Sequence, residues 1–178
     1  MSAMFAQLAR YNRWANARLY EAALALDEGI YRGDVGAFFK SMHGTLNHLL
    51  VTDRIWLTRL TGEGQSPNRL DTILYDDRRA LCLARADDDD RIVRLVDGLD
   101  DAALEGLLAY ATTSGKCFEQ RRREILTHLF NHQTHHRGQA HMILSICTGR
   151  EPPALDLLLM QRGITAPDLR SLAAVSAA

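Results

Sequence analysis

The positions of the four prolines constrain the fold of this chain more than any other feature of its sequence. Pro67, Pro152, Pro153 and Pro167 all stand between or beyond long stretches of residues that are compatible with helix. Because proline lacks a backbone N–H and its ring clashes with the preceding turn, a helix interior excludes it. Together with glycines at positions 29, 62, 64, 98 and 149, the prolines leave four long segments.

Each of these segments is predicted to form one helix. The segments cover about residues 2–27, 37–60, 71–96 and 120–148. In the first segment the apolar side chains recur every three or four residues, which is the helical period. Helices of about 25 residues are roughly 37 Å long, and four helices of similar length favour an all-α four-helix bundle.

Two stretches of the chain fall outside the four helices. Residues 107–113, followed by Ser114 and Gly115, predict a short hairpin before the last long helix. The residues after position 160 are rich in alanine and serine and are predicted to form a loosely attached tail. The predicted division of the chain is therefore a bundle over residues 1–160 and a tail over residues 161–178.

Composition excludes several classes of protein. The net charge is −1, from 21 basic and 22 acidic side chains, so a strong electrostatic nucleic-acid binder is excluded. No apolar run approaches the roughly 18 residues of a membrane span. The three cysteines are far apart and odd in number, which indicates a reducing compartment. Since no secretory signal is visible, we expect a cytoplasmic protein with neither nucleic acid nor membrane as a partner.

Histidines are concentrated near the end of the chain. Five of the seven histidines lie between positions 128 and 141. On a helix, His132 and His136 share the inward apolar stripe, His128 and His135 lie beside that stripe, and His141 lies on the opposite face. Two histidines at positions i and i+4 can reach one metal ion, as they do in helical zinc sites.

A third metal ligand is expected on the second helix, which carries His43 and His48. His48 lies near the middle of its helix, at the same height in a bundle as His132 and His136, and is therefore favoured. The apolar period of this helix places His48 at a boundary and buries Asp53. A buried carboxylate needs partners, so Asp53 is predicted to be structural, with a partner on the first helix among Asn12, Arg13 and Trp14.

Three further polar features carry predictions. Gln133 stands where helical zinc proteases have a glutamate base, so that mechanism is not expected. Gln139 lies one turn from His136, where it either orients a metal ligand or makes a polar core contact. The acidic run Asp87–Asp90 on the third helix is predicted to form a solvated face.

Three motifs in the chain resemble one known family. They are YNRWANARL at residues 11–19, LNHLLVTDRIWL at residues 46–57 and HQTHHRGQ at residues 132–139. In this order, over about residues 1–160, they are similar to the DinB family of metal-binding four-helix bundles, which is named for induction by DNA damage. The family pattern implies metal ligands at His48, His132 and His136.

The resemblance also implies a range of activities. Some relatives in this family are enzymes that use low-molecular-weight thiols, so the chain is expected to be a metal-dependent thiol S-transferase or hydrolase. Three histidines leave one position open on a divalent ion, which is the catalytic arrangement for zinc. Zinc or nickel is the expected ion, and manganese or iron is compatible, because histidine selects poorly among them. The alternative is a non-catalytic metal-binding stress-response bundle or small-ligand binder.

A second apolar set on the fourth helix bears on assembly. Leu126, Phe130 and Leu144 lie well away from the histidine stripe. The tail or residues 99–118, the third helix, or a second subunit can cover them. Because members of the DinB family, which the chain resembles, are often dimers, we predict a two-fold homodimer that buries this face.

Overall fold

Four long helices form the protein in the computed structural model, which describes residues 1–174. They are α1 (Ser2–Leu24), α3 (Met42–Thr61), α4 (Arg78–Asp97) and α6 (Arg122–Thr148). The shorter elements are α2 (Glu28–Arg32), α5 (Asp101–Glu105), β1 (Leu107–Ala111), β2 (Cys117–Arg121), α7 (Leu157–Gln161) and α8 (Leu169–Ala174). Helices α1 and α3 each pack against both α4 and α6, so the predicted all-α four-helix bundle is confirmed.

Capping side chains decide where the middle helices begin. The Ser41 hydroxyl accepts a hydrogen bond from the Gly44 N–H at 3.1 Å, so α3 begins at Met42, five residues later than predicted. The Asp77 carboxylate likewise accepts from the Ala80 N–H at 2.6 Å, and α4 begins at Arg78 rather than near residue 71. These caps satisfy N–H groups that have no partner inside the helix. Residues 33–41 and 62–77 are therefore left as long connections.

The predicted hairpin is present. Strands β1 and β2 pair antiparallel, from Leu107 opposite Arg121 to Ala111 opposite Cys117. Strand β2 runs directly into α6, so the hairpin stands at the start of the helix that carries most of the histidines. Among residues 1–174, no helix has the combination of length and apolar character that crossing a membrane requires.

A network of buried charges and amides occupies the middle of the bundle. The Arg85 guanidinium lies 2.7 Å from the Asp53 carboxylate and 3.1 Å from that of Asp89, and all three side chains are buried. The amides of Asn12 and Asn16 on α1 donate to Asp89 at 3.1 and 2.9 Å. Burial raises the pKa of both carboxyls, that of Asp53 to about 6, and the charge of Arg85 opposes the shift.

This network corrects two predictions. The partners of Asp53 are Arg85 on α4 and the Gln133 amide at 2.6 Å on α6, and they replace the partner predicted on the first helix. The acidic run is not a solvated face, because Asp88 and Asp89 are buried. Four consecutive residues point in directions that cover most of a helix circumference, so part of the run has to face the interior.

The second apolar set of α6 is buried within a single chain. Leu126, Phe130 and Leu144 are all inaccessible, and the Phe130 ring stacks on that of Phe5 in α1 with 6.4 Å between ring centroids. Leu104 of the short helix α5 belongs to the same cluster. The face that a second subunit was predicted to bury is therefore covered by parts of the same chain, and it provides no argument for a homodimer.

The first part of the predicted tail is packed against the bundle. Leu169 and Ala173 of α8 are buried in the core, and the Trp14 indole donates to the Ile164 carbonyl at 2.8 Å. The description of this segment as loosely attached is therefore wrong as far as residue 174. Residues 175–178 lie outside the described residues, and the proposed boundary at residue 160 stays a prediction.

Replacing Arg85 tests the dependence of the fold on the buried network. Arg85→Met leaves two buried carboxylates without their cation, so we expect the free energy of unfolding to fall by about 3–5 kcal/mol. Arg10→Met is the matched control, because the Arg10–Asp97 pair is about half exposed and its loss costs less than about 1 kcal/mol. Urea unfolding measures both, and equally small losses would contradict the assigned role of Arg85.

Candidate metal centre

Three histidines from two helices meet inside the bundle. His48 is on α3, and His132 and His136 lie one turn apart on α6. One ring nitrogen from each lies within 4.8 Å of those of the other two. The ring centroids are 4.3 Å apart for His132 and His136, 4.4 Å for His48 and His136, and 5.3 Å for His48 and His132. The structure thus brings together the three residues that the sequence predicted.

Hydrogen bonds set the tautomers of two of these rings. The Nδ1 of His48 lies 2.8 Å from the Leu70 carbonyl, which can only accept, so Nδ1 carries the proton. The Nδ1 of His136 lies 2.7 Å from Oε1 of Gln139 and donates to it. Each Nε2 therefore presents a lone pair to the cluster, and the two Nε2 atoms are 3.2 Å apart. Of the two roles that the sequence allowed for Gln139, the structure shows the contact that orients the His136 ring.

This arrangement suits a cation. Two lone pairs facing each other at 3.2 Å repel unless a positive charge stands between or beside them. In the third ring, Nδ1 of His132 faces the Thr52 hydroxyl at 3.5 Å, and one of the two ring nitrogens lies within 4.8 Å of the ligand atoms of the other histidines. Outward Nδ1–H bonds and inward Nε2 atoms are the usual arrangement of histidine metal ligands. The donor set therefore fits a divalent ion.

Burial keeps the three rings neutral. It lowers the pKa of His48 to about 4, and burial together with the neighbouring imidazoles lowers the pKa of His132 to about 3. Burial also lowers the pKa of His136. Only neutral imidazole binds a metal. At pH 7 no proton has to leave these side chains before they can act as ligands.

Two loops cover His48, which is 3% exposed and not at the boundary that periodicity predicted. The Phe39 ring stacks on the His48 ring with 3.8 Å between centroids, and Leu70 lies on the next connection. Gly44, one turn before His48, permits this approach, because a Cβ there would collide with the Phe39 carbonyl oxygen. Sequence reasoning missed both residues, because it placed Phe39 inside the predicted second helix and left Leu70 between two predicted helices.

The remaining histidines lie outside the cluster. His43 packs on Tyr31, His128 packs on Trp56, and His141 lies 3.0 Å from the Pro153 carbonyl. His135 is near, but its Nε2 accepts from the Gln139 amide at 3.2 Å. Within residues 1–174, the triad is the one group of histidine, cysteine or acidic residues whose ligand atoms meet closely enough for a metal ion.

The buried network lies directly beneath the triad. The Gln133 amide donates to Asp53 and, at 3.1 Å, to the Leu49 carbonyl. Gln133 is next to His132 in the chain, and Leu49 is next to His48. One side chain therefore joins α3 to α6 at the level of the candidate ligands.

Fold and cluster together define a helical-bundle protein with a candidate three-histidine metal centre. A model of the DinB family matches residues 1–167, so the chain belongs to the DinB family, as its motifs indicated. The chain is similar to the protein named Protein DinB from Bacillus subtilis (strain 168). The two are 25% identical over 154 residues, which cover 78% of this chain and 83% of the relative.

The depressed pKa values predict how stability responds to acid when no metal is present. In the unfolded chain histidine titrates near pH 6.5. Below that pH the unfolded state takes up protons that the folded His48 and His132 do not, so acid favours unfolding. We expect the contribution of these two histidines to the free energy of unfolding of the metal-free protein to fall as the pH decreases from about 6.5 towards 4, while the raised pKa values of Asp53 and Asp89 act in the opposite direction.

Urea unfolding in the presence of a chelator at pH 7.5 and pH 5 measures this effect. His132→Gln removes the ring with the lowest pKa and should reduce the difference between the two pH values. Met4→Gln, an exposed change without a titrating group, is the control and should leave the difference unchanged. An equal pH dependence in wild type and His132→Gln would show that the buried ring is not its source.

Proposed function

We propose that this protein is a metal-dependent enzyme in which His48, His132 and His136 hold one divalent ion. The observation that carries the proposal is the pair of Nε2 atoms 3.2 Å apart, with both Nδ1–H groups engaged elsewhere. Zinc or nickel is the proposed ion, and manganese or iron is compatible. With an open position, such an ion lowers the pKa of a bound thiol or water and supplies a nucleophile at neutral pH.

The protein's own groups orient the ligands and exclude water. The Leu70 carbonyl and Gln139 hold the planes of two imidazoles, and Phe39 covers one side of His48. Histidines that are fixed before the ion arrives need no rearrangement to bind it. Since all three ligands are neutral, the ion would keep its full charge for substrate.

We favour thiol transfer over hydrolysis because a thiol loses its proton more readily than water does. Among residues 1–174, no carboxylate belongs to the triad or bonds to its rings. No carboxylate is therefore positioned to act as the general base that takes a proton from water. A free thiol has a pKa near 8.5, against 15.7 for water, and needs less assistance.

The first test is the metal content of purified protein. We expect one divalent ion per chain, lost in His48→Ala, His132→Ala and His136→Ala, because two imidazoles alone hold such an ion far more weakly. His141→Ala is the matched control and should keep its ion. Loss of metal from His135→Ala, with His48 dispensable, would mean that a different triad binds.

The second test is a reaction screen with the metal-loaded protein. We expect a low-molecular-weight thiol to react faster with an alkylating electrophile, and a chelator or His132→Ala to return the rate to background. A parallel arm with activated esters tests hydrolysis. One bound ion without acceleration in either arm would favour the alternative, a non-catalytic metal-binding stress-response bundle or small-ligand binder.

A further inference from the structure

An apolar cavity of about 290 Å³ lies beside the triad, between residues 35–39 and the second half of α6. Two of its lining residues also contact the candidate ligands. Phe39 stacks on His48, and Gln139 accepts the hydrogen bond from His136. The cavity therefore begins at the side chains that hold the metal ligands in place.

Three large apolar side chains that are exposed to solvent also line this cavity. Phe38 is 86% exposed, Met142 57% and Ile146 64%. Met142 and Ile146 lie one turn apart on α6, in line with Gln139. No charged residue among residues 1–174 lines the cavity. A contiguous apolar surface next to a polar site is a common mark of ligand binding.

A second cavity, of about 520 Å³, shares Phe38 and Phe39 with the first and is also lined by Lys40, Asp71 and Leu70 among others. Phe39 therefore borders both a space with charged residues in its walls and one without them.

We propose that the apolar cavity binds the uncharged, apolar arm of the substrate whose reactive group lies at the triad. A volume of about 290 Å³ is at the lower end of small-molecule sites, so the arm is a short alkyl chain or a single aromatic ring. The argument for this occupant is continuity, since Phe39 and Gln139 belong to both the cavity and the ligand shell. This inference rests on the proposed metal-dependent function.

A series of straight-chain hydroxamates tests the proposal, because each carries the same metal-binding head and a tail of different length. Isothermal titration calorimetry of the zinc-loaded protein with the acids of two to eight carbons gives the affinities. We expect about a two- to fourfold gain for each added methylene until the cavity is filled. In Met142→Gln/Ile146→Gln the gain should disappear, while acetohydroxamate, which has no tail, binds as before.

Both substitutions are neutral and at exposed positions, so fold and zinc content should be retained. Met4→Gln, at a similarly exposed methionine on α1, is the matched control and should keep the dependence on tail length. Light scattering of each variant accompanies the titrations.

Four outcomes would overturn the inference. If acetohydroxamate binds but longer tails bring no gain in affinity, the proposed subsite is contradicted, and the result remains compatible with the proposed function. A gain that persists in the double variant places the tail elsewhere. A protein that binds no zinc, or no hydroxamate when loaded with zinc, contradicts the proposed function and the subsite together. A mass that halves in the double variant assigns this face to a second copy of the chain.

Discussion

Arg85 lies between two buried carboxylates, and the arrangement of the four long helices depends on that one cation. Asp53 and Asp89 come from different helices, and neither is accessible to water. Burying an ion pair is expensive unless the geometry is good and the remaining polar atoms are bonded. Here amides of α1 and α6 donate hydrogen bonds to the two carboxylates. A bundle with another register would leave these charges unpaired, so we infer that the network selects one arrangement of the helices.

The candidate metal centre inherits its geometry from this arrangement. Asp53 is bonded to Gln133, and Gln133 also bonds the backbone beside His48, so the network joins α3 to α6 next to the triad. Burial lowers the pKa values of His48 and His132 and keeps both rings neutral. The same helix packing that buries two ion pairs thus brings uncharged imidazoles together.

Two loops supply contacts to His48 that the long helices do not make. The connection over residues 33–41 places Phe39 over His48 and leaves Phe38 exposed. The connection over residues 62–77 brings the Leu70 carbonyl to the Nδ1 of His48. Reactive groups on loops that a rigid scaffold positions are a common arrangement in proteins. Here the candidate ligands lie on helices, and Phe39, whose ring covers His48, lies on a loop.

By itself the sequence determined the helices, because proline and glycine exclude helix at the breaks and apolar residues recur at the helical period. It also determined the triad, since histidines at positions i and i+4 share a helix face and His48 lies at matching height. Tertiary structure alone decided what each face meets. Periodicity describes one helix at a time. It could not identify the side chains that pack on Phe130, it led to the wrong partner for Asp53, and it placed Asp89 in solvent. Those outcomes depend on neighbouring helices and on loops, which carry no period.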